Sequence, residues 1–274
     1  MIGKRGQGGG QTMLALQQAM DEYLQQRANT SAAQTAELFE QLARYLVHCS
    51  DLFQDMDEDE QGEMSEWEDA LEAQMMQLLD GDVEPAHDLG AAPLSRLHSG
   101  HVREFVGWFL LRESANSEMI RVAGEVLAGW FTFLRDRGYW PGRQFLEFDA
   151  MLKEVVPEAM RAAVLARALY DYARSGCAMA PEARGKPFDR FVEGHARAYA
   201  LVADGVLFRF DSQQQDYGPV RLPDAILQLV REGDVFDVEL GLRAGCWYIV
   251  DVGPVYPGCV YVEAEEVAGL DKIS

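Results

Sequence analysis

The fold is decided at residues 101–138, where the chain reads HVREFVGWFLLRESANSEMIRVAGEVLAGWFTFLRDRG. Apolar side chains recur there every three or four positions, which is the spacing of one face of an α-helix. The two stripes consist of Val102, Phe105, Val106, Phe109 and Leu110, and then of Ile120, Ala123, Leu127, Trp130 and Leu134. Gly138 follows the second stripe, at a position where helices commonly end. The segment therefore predicts two strongly apolar helices, at about 100–112 and 117–137.

Further helices are predicted on both sides of this segment. Upstream, helical spacing and capping residues indicate helices at about 13–28, 31–53 and 65–79. Residues 82–93 contain two prolines and few large apolar residues, which is typical of a long loop. Downstream, Pro157 fits the first turn of a last helix that runs to about Arg174.

The pattern changes after Pro187 to short segments with alternating apolar residues. Strands are predicted at about 206–210, 235–240, 247–252 and 260–263, with a short helix at 222–231 and a turn at Gly218-Pro219. Most of the aromatic residues in this part alternate with apolar residues, which favours core packing: Tyr217, Trp247, Tyr248, Tyr256 and Tyr261. Any that are exposed would instead form a groove for a peptide or a single strand. Short strands at this spacing favour a small, partly open barrel.

Together these patterns predict an α+β protein, in which an N-terminal α-helical domain is followed by a small β-barrel-like domain. Residues 1–12 are predicted to be a flexible tail. The helical domain is predicted at 13–176, with an acidic sub-part at 33–90 and an apolar helical core at 94–176. The β-rich domain is predicted at 187–274.

The acidic charge is concentrated in one part of the chain. The formal net charge is −21, and residues 33–90 carry 17 acidic residues against one basic residue, Arg44. Residues 91–175 are nearly balanced, with 10 acidic and 11 basic residues. Such a surface repels phosphate backbones and anionic membranes and attracts cations or basic partners. We therefore expect a protein partner of basic character, and neither nucleic acid nor membrane.

The expected compartment is the cytoplasm. No apolar stretch reaches the ~20 residues that span a bilayer, and residues 1–11 lack the apolar centre of a secretory signal. The four cysteines, Cys49, Cys177, Cys246 and Cys259, form no CxxC motif, so they are predicted to be reduced and buried.

One acidic run has the spacing of a calcium loop. Residues 57–68 read DEDEQGEMSEWE, which resembles the twelve-residue loop of EF-hand proteins, with a glycine at position 6 and a glutamate at position 12. The resemblance implies a Ca²⁺ site whose ligands are Asp57, Asp59, Gln61, Glu63 and Glu68. The same segment also fits a solvated acidic loop in which Ser65 and Glu68 form a capping box, and both interpretations stay open.

A second resemblance covers residues 94–175. Leu94 and Leu97, the helix that begins HVREFVGWFL, the segment SEMIRVA after it and the ending LAGWFTFLRDRG resemble the helical core-binding domain of tyrosine recombinases. That resemblance implies a DNA-binding helical domain. The family's catalytic domain needs an Arg, a Lys, an HxxR pair and a Tyr nucleophile. No HxxR follows Gly176, and the remaining chain is too short for that domain. This resemblance therefore implies at most a recombinase-derived DNA-binding protein without catalytic activity.

No other catalytic or metal-binding motif is found. His98 and His101 stand three residues apart at a helix start, but no nearby Cys or carboxylate has the spacing to complete a zinc site, so none is predicted there. The sequence therefore predicts a non-enzymatic binding or regulatory protein that uses the acidic helical domain and the small barrel for protein interaction. Calcium binding and recombinase-derived DNA binding are the alternatives.

Overall fold

The structure of the protein is a computed structural model, and it describes residues 14–27, 32–53, 88–114, 116–175, 184–203 and 205–267. The predicted tail, most of the acidic sub-part and the calcium-loop residues lie outside these ranges. Within them the fold is mixed, with helices in the N-terminal part and a sheet in the C-terminal part. None of the helices in these ranges is long and apolar enough to span a membrane.

The described helices lie in the first two thirds of the chain, apart from one short helix between strands. They are α1 (Leu16–Gln26), α2 (Ala32–His48), α3 (Ser99–Glu104), α4 (Leu110–Ser114), α5 (Ser117–Asp136), α6 (Gly142–Arg174) and α7 (Asp224–Leu227). A 3₁₀ turn at Leu94–Arg96 precedes α3, and a π-helical segment at Phe105–Phe109 joins α3 to α4.

Six strands form the sheet: β1 (Arg190–Val202), β2 (Gly205–Arg209), β3 (Tyr217–Arg221), β4 (Val235–Arg243), β5 (Cys246–Tyr256) and β6 (Glu266–Val267). Their order is β2-β3-β5-β4-β1-β6, and β1 also pairs with β2. All pairs are antiparallel except β3 with β5, which is parallel.

The chain divides into two compact units. The first unit comprises Met1–His101 and Thr132–Pro141, and the second comprises Val102–Phe131 and Gly142–Ser274. This grouping differs from the predicted division at 176–187, because α6 packs against β5 within the second unit. Whether 13–176 and 187–274 fold as separate domains stays a prediction.

The first unit has an aromatic core. Tyr23 of α1 contacts Phe39 of α2 and Phe133, with ring centroids 5.9 and 5.5 Å apart. The backbone N–H of Leu16 donates to the Ala92 carbonyl at 2.8 Å, and that of Leu94 to the Leu14 carbonyl at 2.8 Å. These bonds fix the segment that leads into α3 against the start of α1.

The second unit is tied together by a buried ion pair. Arg161 of α6 donates two hydrogen bonds of 2.8 Å to Asp234, which is 0% exposed and lies just before β4. The backbone N–H groups of Arg231 and Gly258 donate to the same carboxylate, at 2.8 and 3.3 Å. Burial lowers the pKa of Arg161, but hydrogen bonds to Asp234 and Glu158 outweigh it, so the net shift is upward. The pair fastens α6 to the sheet.

The last long helix begins earlier than predicted. Its first residue is Gly142, so Pro157 lies in its interior rather than in its first turn. An interior proline costs about 3 kcal/mol, and each fully buried large apolar side chain stabilises by ~1.5–3 kcal/mol. Because Phe148, Met151 and Val155 are buried ahead of the proline, burial outweighs the cost and the helix continues.

The predicted strands are confirmed at β2, β4 and β5 and wrong elsewhere. Residues 260–263 form no strand, and β3 occupies the predicted turn at Gly218-Pro219. Pro219 is tolerated because the β2–β3 register shifts between the pairs Val206–Val220 and Phe208–Tyr217, so Pro219 lies at an irregularity where its missing N–H breaks no ladder bond. Strand β1 was not predicted, because three of its inward positions hold the small residues Gly194, Ala196 and Ala198.

Two predictions about burial are partly wrong. Tyr217 and Tyr256 are buried as expected and Trp247 and Tyr248 are half-buried, but Tyr261 is 82% exposed. The cysteines that the structure describes form no disulfide, yet Cys49 and Cys246 are exposed rather than buried. Cys177 lies outside the described residues.

Candidate metal centre

Three side chains of the first unit converge on one point. Asp51, His98 and His101 each offer a ligand atom, and these atoms all lie within 4.8 Å of one another. Across the residues that the structure describes, this is the one group of three or more His, Cys, Asp or Glu side chains that could hold a metal ion. Asp51 follows α2, whereas the two histidines stand at the start of α3.

The start of α3 explains how the histidines are placed. His98 precedes the first residue of the helix, and the backbone N–H of His101 donates to His98 Nδ1 at 3.3 Å. In return, the backbone N–H of His98 donates to His101 Nδ1 at 3.4 Å. This is the reciprocal pattern of a capping box, with histidines in place of the usual Ser and Glu. The two rings stack, with centroids 3.4 Å apart.

This capping arrangement directs both Nε2 atoms towards the same carboxylate. A ring nitrogen that accepts a hydrogen bond carries no proton, so each neutral imidazole holds its proton on Nε2. His101 Nε2 lies 2.6 Å from Asp51 Oδ1, and His98 Nε2 lies 3.7 Å from the same oxygen. The hydrogen bond from His101 keeps the pKa of the Asp51 carboxyl below its usual value, although desolvation acts the other way.

Asp51 is held by the turn that ends α2. Ser50 Oγ donates to the Leu46 carbonyl at 2.7 Å and accepts from the backbone N–H of Leu52 at 3.3 Å. The side chains of Leu52 and Phe53 are buried and anchor the turn. Arg96, two residues before His98, donates from Nη1 to the Leu52 carbonyl at 3.0 Å, so the segment before the histidine pair is bonded directly to the turn that contains Asp51.

The three residues differ sharply in exposure. The His101 side chain is 3% exposed, whereas those of His98 and Asp51 are 56% and 58% exposed. The group therefore has a buried side formed by His101 and an open side formed by the other two residues.

Two imidazole nitrogens and one carboxylate oxygen suit particular metals. Imidazole is a preferred ligand of Zn²⁺, Cu²⁺, Ni²⁺ and related first-row ions, and carboxylate oxygen completes many zinc sites. Ca²⁺ and Mg²⁺ instead prefer all-oxygen sites. The donor set therefore fits a divalent transition-metal ion.

Binding through Nε2 has a cost that the geometry defines. The ring proton must leave Nε2, and an Nδ1–H would then face a backbone N–H in each histidine. Each backbone N–H then loses its acceptor, which costs about 1–3 kcal/mol for a donor that is left unsatisfied. The affinity for a metal ion is reduced by this cost.

The sequence predicts no zinc site at the histidine pair, because no nearby Cys or carboxylate has the spacing to complete one. The structure brings a distant carboxylate to the pair: Asp51, which stands 50 positions before His101, lies 2.6 Å from the His101 ring nitrogen. No local spacing reveals such a partner, because the two segments meet only when the first unit folds. The predicted calcium ligands Asp57, Asp59, Gln61, Glu63 and Glu68 lie outside the described residues, so that site stays a prediction.

No family model, no curated protein and no solved structure matches this chain. The resemblances to tyrosine recombinases and to EF-hand loops therefore rest on the quoted residues alone.

Proposed function

We propose that the protein is a metal-binding protein that holds a divalent transition-metal ion, of the Zn²⁺ class, with Asp51, His98 and His101. The observation that carries this proposal is the convergence of three ligand atoms within 4.8 Å from two separate segments of the first unit. The nearly complete burial of His101 supports it, because a buried ligand is held in one orientation and loses little freedom on binding.

Helix capping alone does not explain the whole arrangement. A capping box uses the two Nδ1 atoms and the two backbone N–H groups. Serine, threonine, aspartate or asparagine would serve as well as histidine at the first of these positions. The second imidazole nitrogens and the carboxylate between them are the features that a metal site requires and a cap does not.

The experiment is a calorimetric titration of the metal-free full-length protein with Zn²⁺. We expect one Zn²⁺ per chain in the parent protein and loss of that binding in Asp51→Asn. Because Asp51 is largely exposed, this isosteric change leaves the fold intact. His48→Ala is the matched control, since His48 is an exposed histidine of the same unit outside the group. Absence of heat in the parent, or unchanged binding in Asp51→Asn, would contradict the proposal.

A calcium site at residues 57–68 is the second candidate, and it is supported by the spacing of Asp57, Asp59, Gln61 and Glu68. The two sites are separable by metal and by variant. Heat from Ca²⁺ should vanish in Glu68→Ala and persist in Asp51→Asn, whereas heat from Zn²⁺ should behave in the opposite way. A parent protein that gives no heat with Ca²⁺ would remove this candidate.

We also propose, as the cellular role, non-enzymatic binding or regulation through a partner of basic character. The concentration of 17 acidic residues in 33–90 supports this role. A crosslink between the acidic segment and a basic partner protein would test the role, and none should form after charge reversal of that segment.

We further propose that the sheet closes into a small barrel. Its support is that β1 pairs with β2 in addition to β4, so the strand order β2-β3-β5-β4-β1 returns to β2.

A further inference from the structure

We infer that the metal ion held by Asp51, His98 and His101 keeps an open coordination position, and that this position takes up a small external Lewis base such as azide or imidazole. The inference rests on the proposed metal site and adds the chemical class of its exchangeable ligand.

The group supplies fewer protein ligands than a closed tetrahedral site needs. Zn²⁺ and Co²⁺ take four ligands in tetrahedral protein sites, and closed structural sites draw all four from the protein. The group here supplies three, one from each residue, and no fourth His, Cys, Asp or Glu of the described ranges joins it. Three protein ligands with one solvent position is the arrangement of zinc sites that exchange ligands.

The three proposed ligands differ in their exposure to solvent. Protein covers the ion on the side of His101, whose side chain is 3% exposed, while Asp51 and His98 are more than half exposed. Solvent therefore reaches the group on the side of Asp51 and His98. Cys49 stands two residues before Asp51 and could in principle supply a thiolate, but it is exposed and is not part of the group.

Ligand chemistry then defines what binds. A metal ion with a water ligand on an exposed side exchanges that water for anions and neutral nitrogen bases that compete for the same position. Because the ion carries two positive charges and the group contributes one carboxylate, the site keeps a net positive charge that favours small anions.

The experiment uses full-length protein loaded with Co²⁺, whose visible absorption reports the ligands and geometry of the ion. We expect absorption bands on loading, and a saturable change in their position and intensity when azide is added. Imidazole should cause a change of its own. The His48→Ala variant should behave as the parent does, and Co²⁺ in buffer should give a different azide response.

Two results would overturn the inference in distinguishable ways. Protein-dependent Co²⁺ bands that do not respond to azide or imidazole mean that a fourth protein ligand closes the site, and the proposed metal binding survives. Absence of protein-dependent Co²⁺ bands removes the metal site and the open position together.

A second variant checks that the external base reaches the ion. His98 is more than half exposed, so His98→Ala should fold and bind Co²⁺ more weakly. Added imidazole should restore the bands of this variant, because the free base replaces the missing side chain. Bands in His98→Ala that equal those of the parent without imidazole would show that His98 is not a ligand and would contradict the account.

Discussion

Two carboxylates with buried partners, Asp234 in the second unit and Asp51 in the first, have different surroundings. Asp234 is fully buried and accepts hydrogen bonds from both arms of the Arg161 guanidinium and from two backbone N–H groups. Asp51 is 58% exposed and faces the Nε2 atoms of His98 and His101. The first carboxylate has its acceptor positions filled and serves the fold. The second is paired with groups that can lose a proton and bind a metal.

The largest loss of stability is expected when the buried Arg161–Asp234 pair is broken. Arg161→Ala leaves Asp234 buried without its cationic partner, and breaking such a pair costs about 3–5 kcal/mol in the free energy of unfolding. Urea denaturation measures this loss. The control is Arg167→Ala on the same helix, which removes an exposed pair with Asp171 and should cost less than about 0.5 kcal/mol. Equal losses of stability in the two variants would show that the buried pair contributes no more than the exposed pair, which would contradict this prediction.

The next largest effect is the stabilisation by Zn²⁺ bound to Asp51, His98 and His101. A ligand at 100 times its dissociation constant stabilises the folded state by about 2.7 kcal/mol, so Zn²⁺ should raise the thermal unfolding temperature of the parent by several degrees. Asp51→Asn should show no such rise. Differential scanning calorimetry in matched buffers with and without Zn²⁺ checks this. A rise of the same size in Asp51→Asn would place the zinc elsewhere.

A smaller effect separates the capping role of His98 from its metal role. His98→Ala removes the helix cap, which costs typically ~1 kcal/mol. Asn is a good capping residue, so His98→Asn should keep the stability of the metal-free parent to within about 0.5 kcal/mol. Because both variants keep Asp51 and His101, Zn²⁺ should still bind them but should stabilise them less than it stabilises the parent. If Zn²⁺ stabilised His98→Asn as much as the parent, the histidine would be a cap and not a ligand.

The smallest effect is expected at a third carboxylate, Asp211, whose exposure lies between those of Asp234 and Asp51. Asp211 is partly exposed, and its hydrogen bond from Arg197 holds the pKa of this carboxyl below the ordinary value, against an opposing effect of desolvation. A lowered folded-state pKa stabilises the protein above the unfolded-state pKa, and that stability is lost as pH falls through the folded-state pKa. Solvent screening limits the contribution to about 0.2–1 kcal/mol.

Arg197→Gln should therefore be less stable than the parent at neutral pH. The difference should shrink as the pH is lowered through the acid range in which Asp211 is protonated. Denaturation at a series of pH values measures the difference, and a difference independent of pH would show that Arg197 acts through packing alone.

The sequence was informative where burial follows a regular period. The stripe from Ile120 to Leu134 placed α5 to within one residue of its observed end, and the apolar runs of β4 and β5 located both strands. The apolar pattern did not predict strand β1, where small residues face inward. Gly194 is required there, because a Cβ would lie 2.1 Å from the Glu265 carbonyl oxygen. A glycine and two alanines carry too little apolar signal to mark a strand.

The candidate site could be predicted only in part. The two histidines at a helix start were visible in the sequence, but their third partner was not, because Asp51 reaches them through the turn after α2 and the Arg96–Leu52 bond. The buried Arg161–Asp234 pair could not be predicted from the sequence either, because 73 positions separate the two residues. Long-range pairing of polar groups depends on tertiary packing, which periodicity does not encode.

The most direct measurement is zinc K-edge X-ray absorption on full-length protein loaded with one Zn²⁺ per chain. The account predicts a first shell of four nitrogen and oxygen atoms at about 2.0–2.1 Å, with outer-shell scattering from two imidazoles. The imidazole contribution should fall to one ring in His98→Asn. A sulfur shell at ~2.3 Å, or a first shell without imidazole scattering, would contradict the assignment of Asp51, His98 and His101 as the metal ligands.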